Sequence, residues 1–89
     1  MAIPPRVIIR DSEFEKQLAR LIPDEPDADE FTMAAEEVLS HEPEMGMPVS
    51  DDGEIWILPM PLVRGRRVSL YYSFDDHSVV FRSILAFDD

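Results

Sequence analysis

The C-terminal part of this chain contains three runs of strand-forming residues separated by short turns, and this feature limits the possible folds more than any other. The runs predict strands over Glu54–Leu58, Arg66–Phe74 and Ser78–Phe87. Apolar and small polar side chains alternate along the middle run, which is typical of a strand with one buried face. Because short turns join antiparallel neighbours, the three runs predict an antiparallel meander.

The N-terminal half predicts one further strand and two helices. A β-branched run indicates a strand over Arg6–Arg10. Ser12 begins a capping-box pattern ahead of an amphipathic helix over Glu13–Ile22. A second amphipathic pattern begins near Ala28 and ends before Pro43. The order β-α-α-β-β-β predicts an α+β fold in which a helical hairpin packs on a four-stranded sheet.

Length and composition indicate one small globular domain over residues 1–89. The chain has no cysteine, which excludes disulfides and thiolate metal sites. No apolar stretch approaches the length that a membrane span needs, and the N-terminus lacks the pattern of a signal peptide. We therefore expect a cytoplasmic protein without a membrane partner.

The net charge of −11 is unevenly distributed along the chain. Residues 21–63 contain twelve acidic side chains and no Lys or Arg, whereas the other residues hold eight basic and seven acidic ones. Such an acidic block repels phosphate backbones, so direct nucleic-acid binding is not expected. A basic protein partner fits this charge, although an acidic surface can also serve solubility alone.

The best candidates for a functional site are basic residues on the predicted sheet. Arg64, Arg66 and Arg67 lie close together in the sequence, and Tyr71 shares a strand face with Arg67. Arg82 on the last strand could approach that face across the hairpin. Arginines bind phosphates through paired hydrogen bonds, and a tyrosine can stack on a base or accept a proton. The alternative is that these arginines pair with the many carboxylates and keep a turn soluble.

Trp56 and Leu58 form a second apolar surface on the strand over Glu54–Leu58. They predict either a covered face of the sheet or a partner interface, including that of a homodimer. His41 and His77 lack the spacing of metal ligands, and no P-loop or dinucleotide fingerprint is present. No metal or cofactor is therefore expected.

Several short patterns along the chain are similar to those of the RelE/ParE superfamily of bacterial toxin–antitoxin modules. They are Phe14-x-x-x-Leu18, Glu42-Pro43-x-x-Gly46-x-Pro48, Gly53-x-Ile55-Trp56, Gly65-Arg66-Arg67-Val68-x-Leu70-x-Tyr72 and Ser83-Ile84-Leu85. The resemblance implies the RelE/ParE-like fold and neutralisation by a cognate antitoxin. It also implies one of two mechanisms, which are cleavage of messenger RNA on the ribosome and inhibition of DNA gyrase by binding.

The resemblance assigns catalytic roles to Arg67 and Tyr72, with Arg82 as a further cation. The family commonly has a basic residue or a tyrosine at the end of the last strand, where this chain has Ala86-Phe87-Asp88-Asp89. The first hypothesis is therefore a toxin-like component of a type II module that acts by binding a protein and need not retain nuclease activity. The alternatives are a ribosome-dependent endoribonuclease and a non-toxic homodimeric interaction module that pairs through Trp56.

Overall fold

The computed structural model describes residues 4–63 and 65–87, so Arg64 lies outside the described residues. The elements are β1 (Val7–Arg10), α1 (Ser12–Leu21), α2 (Glu25–His41), β2 (Met47–Pro48), β3 (Trp56–Val63), β4 (Arg66–Phe74) and β5 (Ser78–Phe87). One mixed sheet has the order β1-β5-β4-β3-β2, in which β1 is parallel to β5 and the other pairs are antiparallel. The predicted α+β order and the meander are confirmed, and β2 adds a fifth strand that the sequence patterns did not predict.

Both helices begin earlier than predicted because an aspartate caps each of them. The Asp11 side chain accepts a hydrogen bond from the amide two residues on, so α1 begins at Ser12 and Ser12 is not the cap. The Asp24 side chain caps α2 in the same way, three residues on. Pro26 lies in the first turn, where a helix needs no backbone N–H. The predicted start of α2 near Ala28 is therefore wrong by three residues.

The third strand continues through a proline that was predicted to end it. The Val49 amide donates to the Ile55 carbonyl at 2.8 Å, and Met47 is the ladder partner of Ile57. The odd-numbered residues in the first half of β3 therefore direct their backbone N–H and C=O groups toward β2 and away from β4. Pro59 has the same orientation, so its missing N–H removes no hydrogen bond to β4. The predicted strand over Glu54–Leu58 therefore exists but its bounds are wrong: β3 begins at Trp56 and continues past Pro59 to Val63, because a proline ends a strand only where its N–H group would face the neighbouring strand.

The hydrophobic core lies between the two helices and one face of the sheet. Phe14 of α1 packs edge-to-face on Phe81 of β5, with ring centroids 5.3 Å apart. The buried apolar side chains are Phe14, Leu18, Ile22, Phe31, Ala35, Leu39, Val68, Leu70, Tyr72, Val79, Phe81 and Ile84. Because both helices contribute to this cluster, the opposite face of the sheet receives no helix. Over the described part of the chain, neither helix has the length and apolar character needed to cross a membrane.

Candidate functional site

The face of the sheet opposite the helices, hereafter the open face, is not covered by any described part of the chain. Strand register and side-chain alternation define it as Val7, Ile9, Met47, Ile57, Pro59, Arg67, Ser69, Tyr71, Ser73, Val80, Arg82, Ser83, Leu85 and Phe87. Its apolar members are largely exposed, with Val7 at 64%, Leu85 at 43% and Phe87 at 45%. Exposed apolar side chains on one face of a sheet are typical of surfaces that bind a partner.

Among the described residues of the open face, the charged side chains have one sign. Its members include Arg67 and Arg82 and no carboxylate, in a protein whose net charge is −11. Arg67 lies opposite Phe87, and Arg82 lies beside Tyr71 on the neighbouring strand. At 3.3 Å per residue, the two cations are separated by roughly 13 Å along the strands. The predicted placement of Arg67 and Tyr71 on one face is confirmed, and the structure brings Arg82 to the same face.

A β-bulge directs Arg82 onto this face. Tyr71 pairs with Ser83 and Tyr72 pairs with Phe81, so Arg82 is an extra residue in β5. Phe81 and Ile84, on either side of the bulge, are both buried against the helices, which leaves Arg82 and Ser83 together on the open face. The three-residue step between the buried side chains is the only signal of the bulge in the sequence. Because β5 has apolar residues on both faces, this three-residue step cannot be recognised from the sequence alone.

Tyr72 lies on the other side of the sheet, inside the core. Its hydroxyl donates to the Pro43 carbonyl at 2.5 Å and accepts from the Gly46 amide at 3.2 Å, and its side chain is 0% exposed. Burial raises the pKa of Tyr72, while the hydrogen bond from the Gly46 amide acts in the opposite direction. The structure therefore does not bring together the predicted catalytic set of Arg67, Tyr72 and Arg82. Tyr72 instead ties the loop after α2 to the sheet.

Gly46 permits this attachment. A Cβ atom added at Gly46 would collide with the Ile57 carbonyl and the Tyr72 hydroxyl. In the sequence, Gly46 stands out only as part of the pattern Glu42-Pro43-x-x-Gly46-x-Pro48. Glycine is needed at this position because two backbone segments approach each other closely where β2 pairs with β3. No local sequence pattern indicates that pairing.

Of the remaining predicted binding residues, the three that the structure describes do not face the open side, and Arg64 lies outside the described residues. Trp56 and Leu58 are half-buried on the helix side and pack against the core. The Trp56 ring meets Phe74 edge-to-face at 5.2 Å, and its Nε1 donates to the Gly53 carbonyl at 3.0 Å. Arg66 is exposed at the start of β4. Within residues 4–63 and 65–87, no group of three or more His, Cys, Asp or Glu side chains could hold a metal ion.

Comparison with known proteins supports the fold. No protein-family model matches the chain, and no curated protein matches its sequence. A chain of the crystal structure of the toxin–antitoxin complex RelBE2 from Mycobacterium tuberculosis superposes with a TM-score of 0.73 at 23% sequence identity. The match covers 99% of this chain and 98% of that chain. The α+β architecture described above is therefore a RelE-like fold, as the sequence patterns predicted.

Proposed function

We propose that this chain is a toxin-like component of a type II toxin–antitoxin module, and that it acts by binding a protein through its open face. The observation that carries the proposal is a sheet face that no helix covers, on which the described residues include exposed apolar side chains and two arginines but no carboxylate. The RelE-like fold and the toxin–antitoxin nature of the structural neighbour support the same assignment.

The chemistry of the open face favours an acidic and apolar protein segment as its occupant. Apolar side chains such as Leu85 and Phe87 offer area that a partner can bury, and Arg67 and Arg82 offer complementary charge. An extended segment of about five residues would span the distance between the two cations. An antitoxin segment of this composition would cover the face and neutralise the protein. Long-range repulsion from a net charge of −11 grows with the charge of the ligand, so it opposes a polyanion such as RNA more strongly than a protein segment with few carboxylates.

A ribosome-dependent endoribonuclease is the second candidate, and one observation favours it. Tyr71, which is half-buried, shares the open face with Arg67 and Arg82. A nuclease built on this face would therefore use Tyr71, and not Tyr72, to accept the proton of the ribose hydroxyl.

Induced expression in a bacterial host tests the two candidates together. The wild type is compared with Arg67→Ala, Arg82→Ala and Tyr71→Phe, and growth and messenger RNA cleavage are recorded after induction. Arg20→Ala is the matched control, because it removes the same charge from α1, on the helix side of the sheet. Circular dichroism of each purified variant establishes that the fold is retained.

Protein binding predicts growth arrest that either arginine substitution relieves and that Tyr71→Phe and Arg20→Ala leave intact, without cleaved messenger RNA. Loss of arrest in Tyr71→Phe together with loss of cleaved transcripts would instead establish the nuclease. Normal growth with soluble wild-type protein would refute the toxin proposal in that host. Analytical ultracentrifugation of the wild type and a Trp56→Ala variant would then test the homodimeric interaction module.

A further inference from the structure

One buried serine lies next to the bulge and contacts its arginine. The Nε–H group of Arg82 donates to Ser73 Oγ at 2.8 Å. Ser73 is only 7% exposed although it belongs to the open face, and it pairs across the strands with Val80. Ser73 Oγ is therefore a buried acceptor, and the exposed Arg82 side chain lies over it on the open face.

The hydrogen bond to Ser73 uses only Nε of Arg82, so the two terminal NH₂ groups of the guanidinium are available to a ligand. Nε is occupied, and the described residues provide Arg82 with no other hydrogen bond or ion pair. The two terminal NH₂ groups project from a side chain that is exposed. Two parallel N–H groups match the spacing of the two oxygens of a carboxylate. A lysine could not be oriented in this way, because it lacks a second nitrogen for Ser73 to bind.

We infer that Ser73 is a positioning residue, which holds Arg82 so that its two terminal NH₂ groups bind a side-chain carboxylate of a protein partner. This arrangement is called the clamp below. This inference rests on the proposed function, in which the open face binds a protein, and it identifies the chemistry that the partner brings. Only one carboxylate is needed at this point, because the members of the open face nearest to Arg82 in the strand register are uncharged: Tyr71, Ser73, Val80 and Ser83. Binding costs less side-chain entropy when the arginine is already fixed.

Four variants separate positioning from a merely structural role. Ser73→Ala removes the acceptor, and Ser73→Thr keeps a hydroxyl at the same position. Arg82→Lys keeps the charge and removes Nε. Because this substitution is at an exposed residue and leaves the buried serine unchanged, the variant should fold like the wild type. Ser69→Ala is the matched control, because Ser69 is a buried serine on the same strand and the same face, at 9% exposure.

Nuclear magnetic resonance of the free protein measures the positioning directly. We expect the Arg82 Nε–H group of the wild type to be as ordered as rigid backbone, with an order parameter near ~0.85, and to fall below ~0.6 in Ser73→Ala. Ser73→Thr and Ser69→Ala should retain the ordered signal. An unchanged order parameter in a folded Ser73→Ala protein would overturn the inference.

Acetate serves as the carboxylate probe, with sodium chloride at equal ionic strength as its control. We expect acetate to shift the Arg82 Nε resonance of the wild type and to bind about two- to tenfold more weakly in Ser73→Ala, the ratio that corresponds to immobilising one long side chain. Arg82→Lys should show no stronger response to acetate than Ser73→Ala, as judged by its Tyr71 amide. Tighter binding of a short single-stranded RNA oligonucleotide than of acetate at physiological salt would overturn the choice of a carboxylate.

The growth assay distinguishes failure of this inference from failure of the proposed function. If the wild type arrests growth, Ser73→Ala and Arg82→Lys should each weaken the arrest as Arg82→Ala does, and combining Ser73→Ala with Arg82→Ala should add nothing. Arrest that persists in both variants would overturn the clamp while the toxin proposal stands. Normal growth of the wild type would refute the toxin proposal, and an ordered, acetate-responsive Arg82 would still support the clamp.

Discussion

Replacing Tyr72 with phenylalanine should destabilise the protein without changing the open face. The substitution keeps the buried ring and removes one oxygen, which bonds to the Pro43 carbonyl and the Gly46 amide. Both backbone groups then lose a partner next to a fully buried side chain. A buried polar group left unsatisfied costs about 1–3 kcal/mol. The 3.2 Å bond from the Gly46 amide is the longer of the two, so we expect a total loss of about 2 kcal/mol.

Urea unfolding followed by tryptophan fluorescence measures this loss, since Trp56 is the only tryptophan. The midpoint should fall while the m-value is unchanged, because the surface exposed on unfolding is the same. In a domain of this size, a loss of 1 kcal/mol lowers the melting temperature by roughly 4–8 °C. Tyr71→Phe is the matched control, because it removes a hydroxyl from the adjacent residue on the open face. A Tyr72→Phe protein within about 0.5 kcal/mol of the wild type would refute the structural role of this hydroxyl.

The pH dependence of stability gives an independent check on the same side chain. Burial raises the pKa of Tyr72 in the folded protein above its ordinary value of about 10. A group whose pKa is raised on folding contributes stability that is complete below its unfolded pKa and is lost as the pH rises through its folded pKa. The free energy of unfolding of the wild type should therefore fall above about pH 10, and Tyr72→Phe should show a smaller fall over the same interval.

Three further substitutions test contacts that hold the sheet and its loops. Gly46→Ala should cost about 1–3 kcal/mol of stability in urea unfolding, because the added methyl group meets backbone; a neutral result would show that the loop moves freely. Gln17→Ala should cost about 1–3 kcal/mol by leaving a β5 amide without its acceptor at 2.7 Å, whereas Lys16→Ala should have no measurable effect. Asp75 accepts hydrogen bonds from the amides of the β4–β5 turn, which lower its pKa. The stability that Asp75 contributes is present above about pH 3.8 and is lost as the pH falls below that value. Asp75→Ala should therefore already lack this stability at neutral pH and lose less in acid than the wild type, whereas Asp76→Ala should behave like the wild type. Equal acid sensitivity of the two variants would contradict this.

The choice between the two adjacent tyrosines shows how sequence patterns and a family resemblance can point to different residues. Alternation along β4 groups Tyr72 with Val68 and Leu70, and the structure buries all three. The resemblance assigned a catalytic role to Tyr72 because its position in the strand matches a family motif. The structure places Tyr71, rather than Tyr72, beside the arginines of the open face. The alternation reports which side chains share a face, so it was the better guide to accessibility.

The sequence by itself determined the order of the two helices and of every strand except β2, the bounds of β4 and β5, and the grouping of Arg67 with Tyr71. These features depend on local periodicity and turn chemistry, which residues a few positions apart can specify. Only the tertiary structure decided that β1 lies parallel to β5, that Arg82 is a bulge residue held by Ser73, and that Tyr72 anchors the loop at Gly46. Each of these depends on register between strands distant in sequence. That register is set by how the whole core packs, and a slip of one residue would exchange the two faces of a strand.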